Sequence, residues 1–258
     1  VAVASDPDRL LDLLAAQRGI VCAVGAGGKK SLLYRLAALH PGRVGITTTA
    51  HIQPFPDSLD ARVVIGPPGS LIQAVKDAAA ASRRVAYACL AVGANRYAGL
   101  PPALVAQAHR CGGFDATLVK ADGARMRWIK APAENEPMLP PGCDLVLPLV
   151  SARAMGKPLS DTIAHRIDRL SAVTGAHPGD VLTPLHLARL LACGQGSLQG
   201  AAGARVIPVI NMVDNARLET LATESARIAL DLTDRFDRVL LTCLKRERPV
   251  VAVVSRRR

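Results

Sequence analysis

One junction constrains the fold of this chain more than any other feature. The apolar run Gly19-Ile20-Val21-Cys22-Ala23-Val24 passes into Gly25-Ala26-Gly27-Gly28-Lys29-Lys30-Ser31, after which leucines recur at 32, 33, 36 and 39. The run reads as a buried strand, and the leucine spacing reads as a helix over Lys29 to Leu39. A strand that turns through glycines into a helix opening on lysine is the setting of a phosphate loop. Glycines let backbone N–H groups close on phosphate oxygens. The helix N-terminus adds partial positive charge. A lysine neutralises the outer phosphates, and a hydroxyl holds magnesium.

The match to G-x-x-x-x-G-K-[ST] is incomplete in either register. With Lys29 as the phosphate lysine, Gly28 fits, but Lys30 takes the hydroxyl position and Ala23 the first glycine. With Lys30 in that role, Ser31 fits, but Lys29 replaces the preceding glycine. The first register keeps more of the glycine geometry. A tight turn packed for its own sake is the competing explanation, and the paired lysines argue against it. Gly25, Ala26, Gly27, Gly28, Lys29, Lys30 and Ser31 are therefore the expected phosphate-binding residues, with Ser31 as a candidate metal ligand.

Strand-like and helix-like stretches alternate beyond the loop, as in a parallel sheet with crossover helices. Strands are expected at Val44–Thr47, Ala61–Ile65, Arg84–Leu90, Ala116–Ala121, Leu145–Val150, Arg205–Ile210 and Arg238–Thr242. Helices are expected at Leu71–Ala81, Pro102–Arg110 and Ala216–Leu232, with mostly helix from about Asp161 to Cys193. The segment Ala124 to Pro141 reads as an irregular loop. With 258 residues, half of them hydrophobic and 3% aromatic, the chain can bury one large aliphatic core. The expected fold is α/β: a three-layer, mostly parallel sheet of the P-loop NTPase kind with helices on both faces. Residues 1–258 form a single nucleotide-binding domain, with 155–200 as a candidate helical subdomain insertion.

No apolar run approaches the ~20 residues of a membrane-spanning helix. Val1 to Leu14 carries Asp6, Asp8, Arg9 and Asp12, the pattern of an amphipathic helix and not of a signal peptide. The six cysteines form no Cys-x-x-Cys pair, which points to buried reduced thiols and a cytoplasmic setting. The net charge of +11 lies partly in Lys245, Arg246, Arg248 and Arg256 to Arg258. That balance admits an anionic ligand or nucleic acid, but the scarcity of aromatics leaves little with which to stack bases.

Asp122 follows the strand Ala116–Ala121. In parallel sheets the C-terminal strand ends form the ligand crevice, and an acid there suits magnesium, directly or through water. An Asx turn before Gly123 is the structural alternative. Thr47, Thr48 and Thr49 end another strand and offer hydroxyls to a phosphate or metal, or merely finish the strand. His51 is a candidate general base or ligand contact, against the more common structural role of a lone histidine. Arg125, Arg127 and Lys130 crowd the loop after Asp122 as an anion clamp or a solvated basic loop. Glu134 and Glu136 suit pairing with those cations better than binding a metal. Asn211-Met212-Val213-Asp214 has the form of the Asn-Lys-x-Asp element that reads guanine, although Met212 replaces the lysine and an ordinary turn is the alternative.

Several strings also occur in a characteristic order: the glycine loop, Thr47-Thr48-Thr49-Ala50-His51-Ile52, Lys120-Ala121-Asp122-Gly123-Ala124, Lys130-Ala131-Pro132-Ala133-Glu134-Asn135-Glu136-Pro137, Met155-Gly156-Lys157-Pro158-Leu159 and His165-Arg166. In order and spacing they resemble the YqeC-type proteins, a family of accessory proteins of selenium-dependent molybdenum hydroxylases. The resemblance spans about Gly19 to Asp214, and Ala121 to Pro137 is its most specific part. It implies a P-loop NTPase-like protein that binds ATP or GTP with Mg2+ and acts in maturing a molybdenum hydroxylase apoenzyme. The implied catalytic set is Lys29, Asp122, Thr48 and His51, and a ligand role for His165-Arg166 rests on the resemblance alone.

The chain departs from that pattern at Lys30 (normally Thr), Lys120 (normally Glu) and Ala50 (normally Thr). Two of these changes remove groups that could serve a metal or a water. A non-hydrolysing carrier of the anionic molybdopterin-type cofactor is therefore the first alternative function, and a nucleic-acid-binding protein the second.

Overall fold

The structure, a computed structural model, describes residues 9–91 and 95–256. In chain order its elements are α1 (Arg9–Leu13), β1 (Gly19–Gly25), α2 (Lys29–Leu39), β2 (Val44–Thr48), β3 (Arg62–Gly66), α3 (Pro68–Ala81), β4 (Arg84–Ala91), β5 (Tyr97–Ala98), α4 (Pro102–Cys111) and β6 (Ala116–Lys120). There follow β7 (Ile129–Lys130), β8 (Cys143–Ser151), β9 (Ala164–His165), α5 (Ile167–Thr174), α6 (Pro184–Ala192), β10 (Arg205–Val206), β11 (Val209–Asn211), α7 (Ala216–Leu232), β12 (Arg238–Thr242) and β13 (Val250–Ser255). Residues 1–8 of the expected N-terminal helix, and Arg257 and Arg258 of the basic end, lie outside the described residues.

The main sheet runs β13-β12-β11-β8-β1-β6-β2-β4-β3, with β1 near its centre. The pairs along it are parallel except β12 with β13; β5 is also antiparallel to β4. The strand β1 is buried on both faces, and its side chains alternate between two cores with the strand period of two. Ile20, Cys22 and Val24 enter a core shared with α3 to α7, whereas Val21 and Ala23 enter one shared with α1 and α2. The result is the expected three-layer α/β architecture. Leu32, Leu33 and Leu36 of α2 are fully buried or nearly so, and each such side chain contributes about 1.5–3 kcal/mol. That face fixes α2 on the sheet and sets where its first turn points.

From β1 the chain crosses past β6 to β2 and the β3 edge. It returns to β6, then passes to β8 on the opposite side of β1. Such a reversal opens a crevice at the carboxyl ends of the strands. The glycine loop after β1 and Asp122 after β6 both lie there.

Four local differences from the sequence reading have simple causes. The expected strand Arg205–Ile210 is split into β10 and β11, since Pro208 between them has no N–H to give. Helix α3 begins at Pro68 and not at Leu71, with proline in the first turn. The helical stretch after Asp161 resolves into α5 and α6, whose Leu170, Leu187 and Leu190 share the core of β8 and β11. Strand β13 and the small parallel pair β7–β9 were not expected. No helix among the described residues is long and apolar enough to cross a membrane.

Candidate functional site

The loop after β1 is shaped by close approaches that only glycine permits. Gly25 has φ +86°, and a Cβ there would lie 2.3 Å from the Leu149 carbonyl oxygen of β8. Gly28 has φ +123°, and its Cβ would lie 2.4 Å from Asn211 Nδ2. Ala26 N–H donates to Leu149 O at 2.9 Å, and Asn211 Nδ2 donates to Gly27 O at 2.7 Å. The backbone N–H groups of Gly27, Gly28, Lys29, Lys30 and Ser31 have no acceptor among the described residues. Those in the first turn of α2 point along the axis away from the helix, where an anion would complete them.

Lys29 and Asp122 meet behind this loop, both almost wholly buried. Lys29 Nζ lies 2.8 Å from Asp122 Oδ1 and also donates to Gly25 O. The contact at Oδ1 is an ion pair whose angle misses that of a hydrogen bond. Asp122 Oδ2 accepts from Gly25 N–H at 2.8 Å and lies 2.8 Å from Lys130 Nζ. Lys130 donates in turn to Gly123 O and Glu136 Oε2, each at 2.7 Å. Arg166 then grips both Glu136 oxygens, at 2.8 and 3.1 Å. The ladder Lys29–Asp122–Lys130–Glu136–Arg166 thus links the glycine loop to the start of α5.

Burial would raise the Asp122 carboxyl, but Lys29 and Lys130 more than offset it, and the group titrates below the ordinary range. Burial pushes the Lys29 ammonium down, and Asp122 opposes that shift. Glu136 follows Asp122: burial is outweighed by Lys130 and Arg166.

Two further lysines border the same space. Lys120, the last residue of β6, is 9% exposed and makes one hydrogen bond, to His51 O at 2.7 Å. Burial, aided by repulsion from Lys29, brings its pKa down to about 7 despite the nearby Asp122. Lys30 is half-buried and donates to Gln53 Oε1.

The three threonines after β2 are engaged by the backbone. Thr47 Oγ1 donates to Tyr87 O at 2.7 Å and Thr49 Oγ1 to Met138 O at 2.7 Å. Thr48 Oγ1 lies 2.7 Å from Ala50 O and 2.8 Å from Lys120 O. A hydroxyl has a single proton to share between those two. His51 is exposed, as are Ser31 and Arg125, and Arg127 is half-buried. The structure separates Lys130 from these two arginines: it is the interior partner of Asp122, not part of a surface clamp. Burial, then Arg166 and Arg125, hold the His165 imidazole's pKa down. Arg166 caps α5 in the left-handed conformation. Glu134 stays at the surface beside Arg169.

Asn211 sits at the end of β11. Its Oδ1 accepts from Thr242 Oγ1 at 3.1 Å and Leu244 N–H at 3.2 Å while its amide holds Gly27. Asp214 is partly exposed, and Oδ2 is paired with Arg153 Nε. Its Oδ1 accepts from the Cys243 thiol at 3.3 Å. A base that used this carboxylate would have to displace or stack upon Arg153.

The two residues expected to hold magnesium stand in different surroundings. Ser31 is exposed on the third residue of α2, and both Asp122 oxygens are 2.8 Å from an ammonium. The six cysteines are free, but only Cys22, Cys89 and Cys243 are buried; Cys111 is exposed. Sequence reasoning did not find the roles of Lys130, Glu136 and Arg166 as one ladder, nor Arg153 and Gln199. Gln199 Nε2 donates to Ala133 O at 2.6 Å and to Glu136 O, pinning the turn that presents Glu136.

Comparison with known proteins agrees with the motif order. A family profile described as "YqeC protein" matches residues 21–168. The chain is 30% identical over 214 residues to the uncharacterized protein YqeC of Escherichia coli (strain K12), covering 80% of this chain and 81% of that one.

Proposed function

The chain belongs to the YqeC family, and on that premise we propose that it binds a nucleoside triphosphate, ATP or GTP, at Gly25–Ser31 as an accessory protein in maturing a molybdenum-cofactor hydroxylase. The observation that carries the binding site is the set of five uncommitted amides from Gly27 to Ser31 beside the buried Lys29. Lys29 swings from Gly25 O and Asp122 to the outer phosphates, and Asp122 keeps Lys130 as its counterion meanwhile. The maturation role draws on the motif order. Its most specific string, Ala121 to Pro137, is the one that builds the Asp122–Lys130–Glu136 ladder.

A second reading, a carrier that binds the anionic molybdopterin-type cofactor without hydrolysis, is favoured by the threonines. Their hydroxyl protons are committed to backbone carbonyls, which leaves none of them to donate to a phosphate oxygen or a water. The test is purified protein with ATP and GTP, with and without Lys29→Ala. Turnover that vanishes in the variant supports the NTPase. Binding without turnover supports the carrier. If neither nucleotide nor inorganic pyrophosphate binds, both readings fail.

A further inference from the structure

Resting on the phosphate-site reading, we infer that the anion in this loop is held without a divalent cation, its charge met by Lys29, Lys30 and Lys120. A phosphate loop normally places a Ser or Thr hydroxyl on the metal directly after the phosphate lysine. Here that position is Lys30, whose ammonium extends to Gln53 on the segment after β2. The strand-end acid, Asp122, is the second usual metal support. Its Oδ1 is 2.8 Å from Lys29, and its Oδ2 holds both Gly25 N–H and Lys130. A divalent ion reaching either oxygen would stand beside a buried ammonium. The hydroxyl that could substitute, Ser31, faces solvent, and Thr48 is turned into the backbone.

Lys120 is the buried lysine around the loop with the most unmet hydrogen-bonding capacity. It is a buried amine with one hydrogen-bond acceptor, the His51 carbonyl at 2.7 Å, and its other N–H groups have no partner among the described residues. The charges acting on it are those of Lys29, Lys130 and Lys30 and of Asp122, and Asp122 is already claimed by Lys29 and Lys130. Among the described residues, the acids set against Lys29, Lys30, Lys120, Lys130 and Arg166 around the loop are Asp122 and Glu136. A site with this surplus of basic groups lacks an anion, not a cation. A polyphosphate entering without its metal satisfies Lys120 and Lys30 directly. A magnesium-chelated one brings a like charge into their midst.

The test is a titration of the full chain with pyrophosphate, ATP and GTP, in EDTA and in excess Mg2+, followed by calorimetry. Binding in EDTA that is equal to or tighter than binding in Mg2+ is expected. Binding that needs Mg2+, or is about tenfold tighter with it, overturns the inference while leaving the phosphate site intact. Absence of binding in both arms overturns the phosphate reading itself and the inference with it. Lys120→Met keeps the volume and removes the charge, so it should fold normally, as unfolding curves will show, and lose about tenfold in EDTA affinity. Lys30→Thr restores the hydroxyl and should make Mg2+ favourable. A folded Lys120→Met protein with unchanged EDTA affinity, or a Lys30→Thr protein whose Mg2+ response equals that of the parent, counts against the metal-free site.

Discussion

Asn211 donates its side-chain amide to the Gly27 carbonyl at 2.7 Å across 184 residues of chain. The same side chain accepts from Thr242 Oγ1 and Leu244 N–H. Three strand ends, those of β1, β11 and β12, are therefore tied through one buried amide, and the glycine loop takes its curvature from that tie. Asn211→Ala should leave the Gly27 carbonyl and two donors unsatisfied, at about 1–3 kcal/mol for such a buried group. Denaturant unfolding should show the lower midpoint, and the loop should lose anion affinity. A variant of parental stability would mean that water replaces the tie.

Gly28 packs against that same amide. Adding a Cβ at φ +123° places it 2.4 Å from Asn211 Nδ2. Gly28→Ala must distort the loop or expel Asn211, so phosphate binding should disappear while the sheet stays folded. Calorimetric titration with pyrophosphate, alongside an unfolding curve, checks both halves of this expectation.

Asp122 is the keystone of the interior charges. Asp122→Asn removes the counterion of Lys29 and Lys130 together, and breaking a buried pair in this way costs about 3–5 kcal/mol. The pH dependence follows from the sign of the shift. Because the folded carboxyl titrates below its ordinary 3.8, its contribution is complete above that value. It is lost as the pH falls through the lower, folded value. Acid unfolding should steepen below about pH 4 in the parent and lose that component in Asp122→Asn.

Much of this frame is legible in the sequence, and the limits of legibility are physical. Strands β1, β2 and β6 are short apolar runs buried on both faces, so composition alone marks them. The glycine loop is local, and its chemistry lies within consecutive residues. Long-range partners are different. Nothing in the period or composition of 205–214 says that Asn211 will hold Gly27. Nothing in Arg125-Met126-Arg127-Trp128-Ile129-Lys130 says which cation turns inward. Lys130 is selected by the two-residue β7, whose pairing with β9 is made by residues thirty-five positions later. Strand β13, Val250–Ser255, was not expected, although the strand it pairs with, β12, was. The threonines looked available because a hydroxyl's partner cannot be read from its neighbours in sequence.

Anion binding at the loop should draw in a proton through Lys120. Lys120 titrates at about 7 in place of the ordinary 10.5, through burial first and then the charges of Lys29, Lys130 and Lys30, with Asp122 opposing. In the ligand-free protein the unfolded chain holds a proton between those values that the folded chain does not. Stability should therefore rise with pH across that window. An anion reverses the local balance: it favours charged Lys120, raises its pKa, and so draws in a proton on binding. At pH 8.5 calorimetry in two buffers of different ionisation enthalpy should register net uptake approaching one proton. Affinity should fall as the pH rises through about 7.5 to 9.5, where the terminal phosphate is already deprotonated, by at most about tenfold per pH unit for a single coupled proton. Lys120→Met should abolish both the uptake and the slope. Uptake that persists in that variant would assign the proton to another lysine of the cluster, and its absence from the parent would remove Lys120 from the site.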